Sequence, residues 1–429
     1  ADEKVKQKEP MVTRMVYRIW AVAALALTAA EATAAEGDSL RPWGYGVTLH
    51  PNWQLALDEW VRQWLYDTDA FAVSIEATHS ALPQDSSAID ADFGYPTVAV
   101  GLRYGDNHRV TMQKPRTTDY FSHLGNTLTL YGAFQRPFFR TRHWEADYTL
   151  ATGVGYNSLK YNKTDDIDNE LIGSSFLIYF NAGLHVAYHP VPQWGIKAGL
   201  EFCHHSNGAL ARPNKGANSL GPSLSLVYTP YYEATVRRRA TTPGGHRRSA
   251  ADDDALHRSY LDFSVGVGGK TLLEDWHRTQ SLPKSDPDYC TEDFTFYMAY
   301  SMHAKWMYRY ARRWASGVGA DLFYGSYADH VRELDERAKR TDAHSPWSVG
   351  LSANHSVFYR NFSLQVALGY YLYREMGHSA KQIEKPYYER VGLFYTLPKV
   401  GNLTLGISLN AHMTKADFTE FVVSYPIKL

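Results

Sequence analysis

From residue 97 to the C-terminus, hydrophobic side chains recur at every second position. Val98, Val100, Leu102 and Tyr104 share one face of such a segment, and Phe176, Ile178, Phe180 and Leu184 share another. Phe421, Val423, Tyr425, Ile427 and Leu429 carry the alternation to the last residue. A period of two belongs to a strand with one apolar face. The intervening positions are repeatedly Gly, Ser, Asn, Thr or Asp, so the second face is small or polar and is not the other half of a soluble core. Connections are short at 189–193, 311–313, 360–361 and 398–401. They are long and polar at 162–173, 208–218, 272–289, 326–345 and 374–385. Short turns at one rim and long loops at the other are the asymmetry of an outer-membrane barrel, with the long loops outside. The pattern predicts an all-β fold: a transmembrane, antiparallel, up-and-down β-barrel of about 14 strands, in a range of roughly 12 to 16.

The ends of the pattern are less regular. Trp43 to Leu49 and Phe71 to Ala77 read as further strands, whereas 53–66 fits a helix or a loop equally well. A break follows Tyr232, with Arg237, Arg238 and Arg239 and then Asp252, Asp253 and Asp254. As a linker it would divide two modules; as a turn it joins two halves of one barrel. Alternation resumes in the same style beyond it, which favours the turn. A single barrel is therefore expected over 36–429, with 36–232 as one half, 233–258 as a long periplasmic turn and 259–429 as an extension.

Ahead of the barrel, Arg14 and Arg18 precede an apolar run from Ile19 to Leu27 and the small residues Ala32, Thr33, Ala34 and Ala35. That order is a secretory signal with cleavage near Ala34 or Ala35, and the run falls short of the roughly 20 residues a spanning helix needs. Residues 1–35 are thus expected to be upstream sequence and signal peptide, and the mature chain to lie in the outer membrane.

Composition changes this picture little. Aromatic residues make up 14% of the chain while the mean hydropathy is only −0.39. Both suit alternating membrane strands, whose polar positions dilute a fully apolar face. A formal net charge of −1 supplies no one-signed field to draw a polyanion, so nucleic acid is not an expected partner. Cys203 and Cys290 match neither a disulfide framework nor a zinc pattern. They could form one bridge, and no metal or cofactor is indicated.

Candidate chemistry enters at one strand. From Trp194 the apolar face runs through Ile196, Ala198, Leu200 and Phe202, and period two places His204 and Ser206 next on that same face. An imidazole and a hydroxyl two residues apart on one strand face can share a proton, the minimum equipment for acyl transfer. The strand leaves a short turn and enters a long loop, so the couple sits at its outer end on the lipid side. Ser206 would be the nucleophile and His204 the base, with Asn207 and the backbone N–H of Gly208 as oxyanion donors. Glu201 lies at an odd spacing and faces the lumen. Asn218, across the loop, can reach His204 and hold its tautomer.

The run Phe202-Cys203-His204-His205-Ser206-Asn207-Gly208-Ala209-Leu210, continued by Arg212-Pro213-Asn214-Lys215-Gly216-Ala217-Asn218, resembles the motif of outer-membrane lipid A 3-O-deacylases of the PagL type and the acyloxyacyl hydrolases grouped with them. The longer, Bacteroidetes-like members are the most similar. Leu124-Gly125-Asn126 and Leu130-Tyr131-Gly132-Ala133-Phe134 are similar to upstream family segments, and the resemblance covers 43–232. It implies a serine esterase that removes an ester-linked acyl chain from the lipid A of lipopolysaccharide, without metal or cofactor. His204 and Ser206 fall on the catalytic pair, and Asn207 and Gly208 on the oxyanion region. Asn218 stands where the smaller enzymes have a glutamate. Those relatives are eight-stranded, which leaves the second half unassigned. The rival readings are a non-catalytic outer-membrane pore or structural barrel, and an outer-membrane phospholipase.

Overall fold

The computed structural model describes residues 43–83, 87–115, 118–241, 256–382, 384, 386–413 and 415–429. The signal segment 1–35 and most of the break after Tyr232 lie outside the described residues. The first set of strands is β1 (Trp43–Gln54), β2 (Asp69–Ser80), β3 (Thr97–Asp106), β4 (Thr111–Met112), β5 (Ser122–His123), β6 (Thr127–Arg140), β7 (Trp144–Asn157), β8 (Phe176–Val191), β9 (Trp194–Ser206) and β10 (Ala217–Tyr228). The second is β11 (Arg258–Thr271), β12 (Phe296–Ala311), β13 (Trp314–Gly325), β14 (His344–Tyr359), β15 (Phe362–Met376), β16 (Tyr387–Leu397), β17 (Leu403–His412) and β18 (Lys415–Lys428).

These strands close two barrels, which corrects the single barrel expected over 36–429. The first runs β1-β10-β9-β8-β7-β6-β3-β2, with β2 returning to β1, and the second runs from β11 through to β18, with β18 returning to β11. All pairings are antiparallel, and β4 with β5 forms a separate small hairpin in the loop between β3 and β6. Alternation reports which face of a strand meets lipid; it carries no information about which distant strand that strand closes against. Here β10 pairs with β1, so the first barrel is complete before the break, and the N-terminal segments supply the two strands that an estimate of about 14 omits. The segment 259–429 is accordingly a second barrel rather than an extension of the first. Closure satisfies every strand edge within each barrel, as a bilayer requires.

The alternation holds along most of each strand and slips at bulges, where Phe138 and Phe139, and Leu372 and Tyr373, are exposed side by side. Val100, Leu130, Val154 and Leu184 point outward and are more than half exposed, forming an apolar belt. Inward positions carry charge, and the charges are paired as burial demands. His50 and Arg103 approach Glu201, and Lys197 and His185 approach Asp147. Among the described residues no helix is long and apolar enough to cross a membrane; the crossing is made by strands.

The barrels touch at both rims. At the turn rim, Arg360 holds the fully buried Asp90 through Nη2 and Nε, 2.8 and 3.3 Å, while Arg312 and Arg313 reach Asp92. Tyr359 packs there against Phe93 and Phe134. At the loop rim, Tyr161 donates to the Cys290 carbonyl at 2.8 Å and its ring meets Trp276 edge-on. The loop after β9 rests on β11 and β18.

Candidate active site

β9 carries Lys197, Glu201, Cys203 and His205 into the lumen and Ile196, Leu200 and His204 outward. Ile196 and Leu200 are each just over half exposed, so the face that ends in His204 and Ser206 is the lipid-facing one. His205 turns the other way, with Nε2 3.1 Å from Thr129 Oγ1 and its ring against Tyr179. Register sets the neighbours: His204 lies opposite Phe180 of β8 and opposite Asn218 of β10, and Ser206 lies opposite Ile178.

His204 Nε2 is 2.8 Å from Ser206 Oγ, and His204 Nδ1 is 2.7 Å from Asn218 Oδ1. The Asn218 amide donates Nδ2–H to the Gly216 carbonyl at 3.1 Å, which turns its oxygen toward the imidazole. An oxygen there can only accept, so the proton sits on Nδ1 and leaves Nε2 free to take the Ser206 proton. The recess is narrow, with His204 partly buried and Ser206 7% exposed.

Gly216 has φ +78, and a Cβ there would stand 2.6 Å from His204 Cε1, so only glycine lets the loop approach the ring. Its N–H donates to the Leu171 carbonyl, tying the loop after β9 to the one between β7 and β8. The backbone N–H of Asn207 is taken by Asn214 Oδ1 at 3.0 Å. The Asn207 side chain is 2% exposed, and among the described residues neither of its side-chain polar atoms has a hydrogen-bond partner. Gly208 follows with φ +62. Sequence reasoning brought His204, Ser206, Asn207, Gly208 and Asn218 to one place, and they are together. It missed Gly216 and Asn214, which stand within its own motif, and Thr271 and Thr419 of the second barrel, which donate hydrogen bonds to the Ala209 and Gly208 carbonyls and carry no local signal.

Cys203 and Cys290 are both free and buried in different clusters, so the bridge left open by the sequence is not formed. Two other groupings need distinguishing from the site. Inside the second barrel His303 bridges Ser301 Oγ at 3.0 Å and Asp321 Oδ1 at 2.7 Å, but Ser301 donates its proton to Glu420, and Arg390 lies against the ring. All four of Ser301, His303, Asp321 and Glu420 are sealed in the lumen. Glu384, His412 and Asp417 bring one ligand atom each within 4.8 Å of one another, yet Lys270 and Arg374 already neutralise the two carboxylates.

The fold and this recess define a membrane β-barrel protein with an outward-facing Ser-His-Asn relay. Lipid A 3-O-deacylase (PagL) is the family matched by residues 45–227, and the C-terminal domain of acyloxyacyl hydrolase is matched by residues 259–429. The chain belongs to this family of ester hydrolases, one domain to each barrel. A search of curated proteins found no matching relative. Among solved structures, the outer membrane enzyme PagL is similar at 15% identity over 43% of this chain and 98% of that one, with a TM-score of 0.27. A mutant Rh. blastica porin is similar at 6% identity over 90% of this chain and 99% of that one, with a TM-score of 0.16.

Proposed function

We propose that the protein is an outer-membrane serine esterase that removes a 3-O-type acyl chain from lipid A. The single observation that carries this reading is the relay Ser206 Oγ, His204 Nε2, His204 Nδ1 and Asn218 Oδ1, at 2.8 and 2.7 Å, on a face otherwise made of exposed hydrocarbon. Such a face suits an ester whose hydrocarbon lies in the bilayer beside it. The family match supports lipid A as that lipid.

In the first half-reaction Ser206 Oγ attacks the ester carbonyl carbon as its proton passes to His204 Nε2. The carbonyl oxygen becomes an oxyanion, for which Gly208 N–H and the unpartnered Asn207 Nδ2 are the adjacent donors. Collapse breaks the bond to the sugar-side oxygen, which leaves with the proton from His204. Water then attacks the acyl-Ser206 carbonyl, giving its proton to His204, and the fatty acid departs as Ser206 recovers a proton. Asn218 fixes the imidazole but, being neutral, does not offset imidazolium charge as a carboxylate would.

The buried ion pairs that cross each lumen, such as Lys197 with Asp147 and Lys305 with Asp262, support the esterase over the pore reading. The test is fatty-acid release by the purified, detergent-solubilised protein from lipid A and, in parallel, from a glycerophospholipid. Release from lipid A alone is expected. Release from the glycerophospholipid alone would make this a phospholipase, and release from neither, with channel conductance in planar bilayers, would make it a pore.

A further inference from the structure

Beside the nucleophile, the chain makes a tight turn whose outer side is held by the second barrel. Leu210 N–H donates to the Asn207 carbonyl at 3.2 Å, and the two central residues, Gly208 and Ala209, have φ +62 and +70. Both central residues left-handed is a type I′ turn, a conformation that an alanine adopts only under constraint. The constraint comes from across the interface. Thr419 Oγ1 of β18 donates to the Gly208 carbonyl at 2.8 Å. The Ala209 carbonyl accepts from Thr271 of β11 twice, from its N–H at 2.9 Å and its hydroxyl at 3.2 Å. Arg212 Nε returns a bond to the Thr271 carbonyl at 3.0 Å. Ala209 is wholly buried, and a Cβ on Gly208 would stand 2.3 Å from Thr419 Oγ1, so the turn is pressed onto the strand.

A trans peptide is planar, with carbonyl and N–H on opposite sides. Pinning the Gly208 carbonyl toward β18 therefore turns the Ala209 N–H away from it. Pairing of the Asn207 carbonyl with Leu210 turns the Gly208 N–H out of the turn. With Asn207 N–H held by Asn214, Gly208 and Ala209 carry the amides this turn can offer to an oxyanion. Strained backbone held by more partners than its fold requires is a recurrent feature of catalytic sites.

We propose that the second barrel is a positioning element of the esterase site, with Thr419 and Thr271 fixing the 207–210 turn so that its backbone amides meet the oxyanion formed at Ser206. This rests on the esterase reading above. Thr419→Val removes the donor at nearly constant shape, Thr419→Ser retains it, and Thr271→Val is an independent second variant that keeps the Thr271 backbone bond. Arg312→Ala loosens the barrel contact at the opposite rim as a control. Each full-length protein is assayed for kcat and KM of acyl release from lipid A, and for the rate at which a fluorophosphonate labels Ser206.

Thr419→Val is expected to lower both kcat and the labelling rate by about 10- to 100-fold, below the cost of losing an oxyanion donor outright. KM should stay within about two-fold, Thr419→Ser should recover most of the loss, and Arg312→Ala should leave both rates intact. If Thr419→Val does not fold, Thr271→Val carries the same expectation with a smaller loss. Wild-type rates in the folded valine variants, a loss confined to KM, or a loss that serine does not restore would overturn the positioning role alone. Absence of both labelling and release in the wild type would overturn the esterase reading and this inference with it.

Discussion

Asn218 meets His204 through its oxygen at 2.7 Å while its amide nitrogen is spent on the Gly216 carbonyl at 3.1 Å. The residue must accept on one side and donate on the other, which an amide does and a carboxylate does not. Asn218→Asp should therefore gain nothing from its charge, because one carboxylate oxygen would face a carbonyl oxygen. A loss of about 1–3 kcal/mol in urea unfolding at neutral pH is expected. Asn218→Ala removes the tautomer control and should lower kcat of acyl release by about 10²-fold or more at little change in KM.

Gly216→Ala would place a methyl group 2.6 Å from His204 Cε1, in a backbone region that alanine rarely adopts. The imidazole must move, and a shift of about 1 Å at a reacting group costs on the order of 10²-fold. Kinetics of acyl release on a variant that still shows heat-modifiable migration would check this.

The adjacent histidines separate the two faces of β9. His204→Ala should abolish turnover, since general-base catalysis contributes about 10²- to 10⁴-fold. His205→Ala removes a lumen hydrogen bond to Thr129 and a contact with Tyr179 and should lower stability by about 1 kcal/mol while turnover persists. Paired activity and unfolding measurements on the two variants would reverse this assignment if His205 proved to be the essential one.

In the loop between β7 and β8, burial pushes the Asp166 carboxyl up to about 6, against the hydrogen bonds it accepts from His123 N–H and Asn169. A raised folded-state value means the protonated form is the one the fold favours. The stabilisation is fully present below the unfolded value near 4 and is lost as pH rises through about 6. Protection factors in 158–175, which divide out the base-catalysed intrinsic exchange rate, should fall across that window, and Asp166→Asn should flatten the response.

The ion pair between Arg360 and Asp90 makes a different forecast. Arg360→Ala leaves a fully buried carboxylate without its partner and should cost about 1–3 kcal/mol, moderated by the half-exposed arginine. Adding Asp90→Asn should restore part of that loss in urea unfolding, because the unpaired charge is then gone.

How much of this was legible in the sequence follows from what each signal encodes. Period-two alternation encodes sidedness, so the outward placement of His204 and Ser206 and the inward placement of Glu201 and His205 could be read from the chain. Closure depends on contacts between strands as distant as Trp43–Gln54 and Ala217–Tyr228, and no local pattern marks those partners, so the two barrels read as one. The motif around Ser206 contains its own relay because register brings Asn218 opposite His204 across a single loop. Thr419 lies 211 positions from Gly208 and resembles any other rim threonine until the second barrel is docked.

The most direct test of the account is mass spectrometry of lipid A from outer membranes of cells producing the wild-type protein or Ser206→Ala. Loss of one hydroxyacyl chain with the wild type, and none with an equally abundant, folded Ser206→Ala barrel, is the expected result. The same chain loss in both would contradict it.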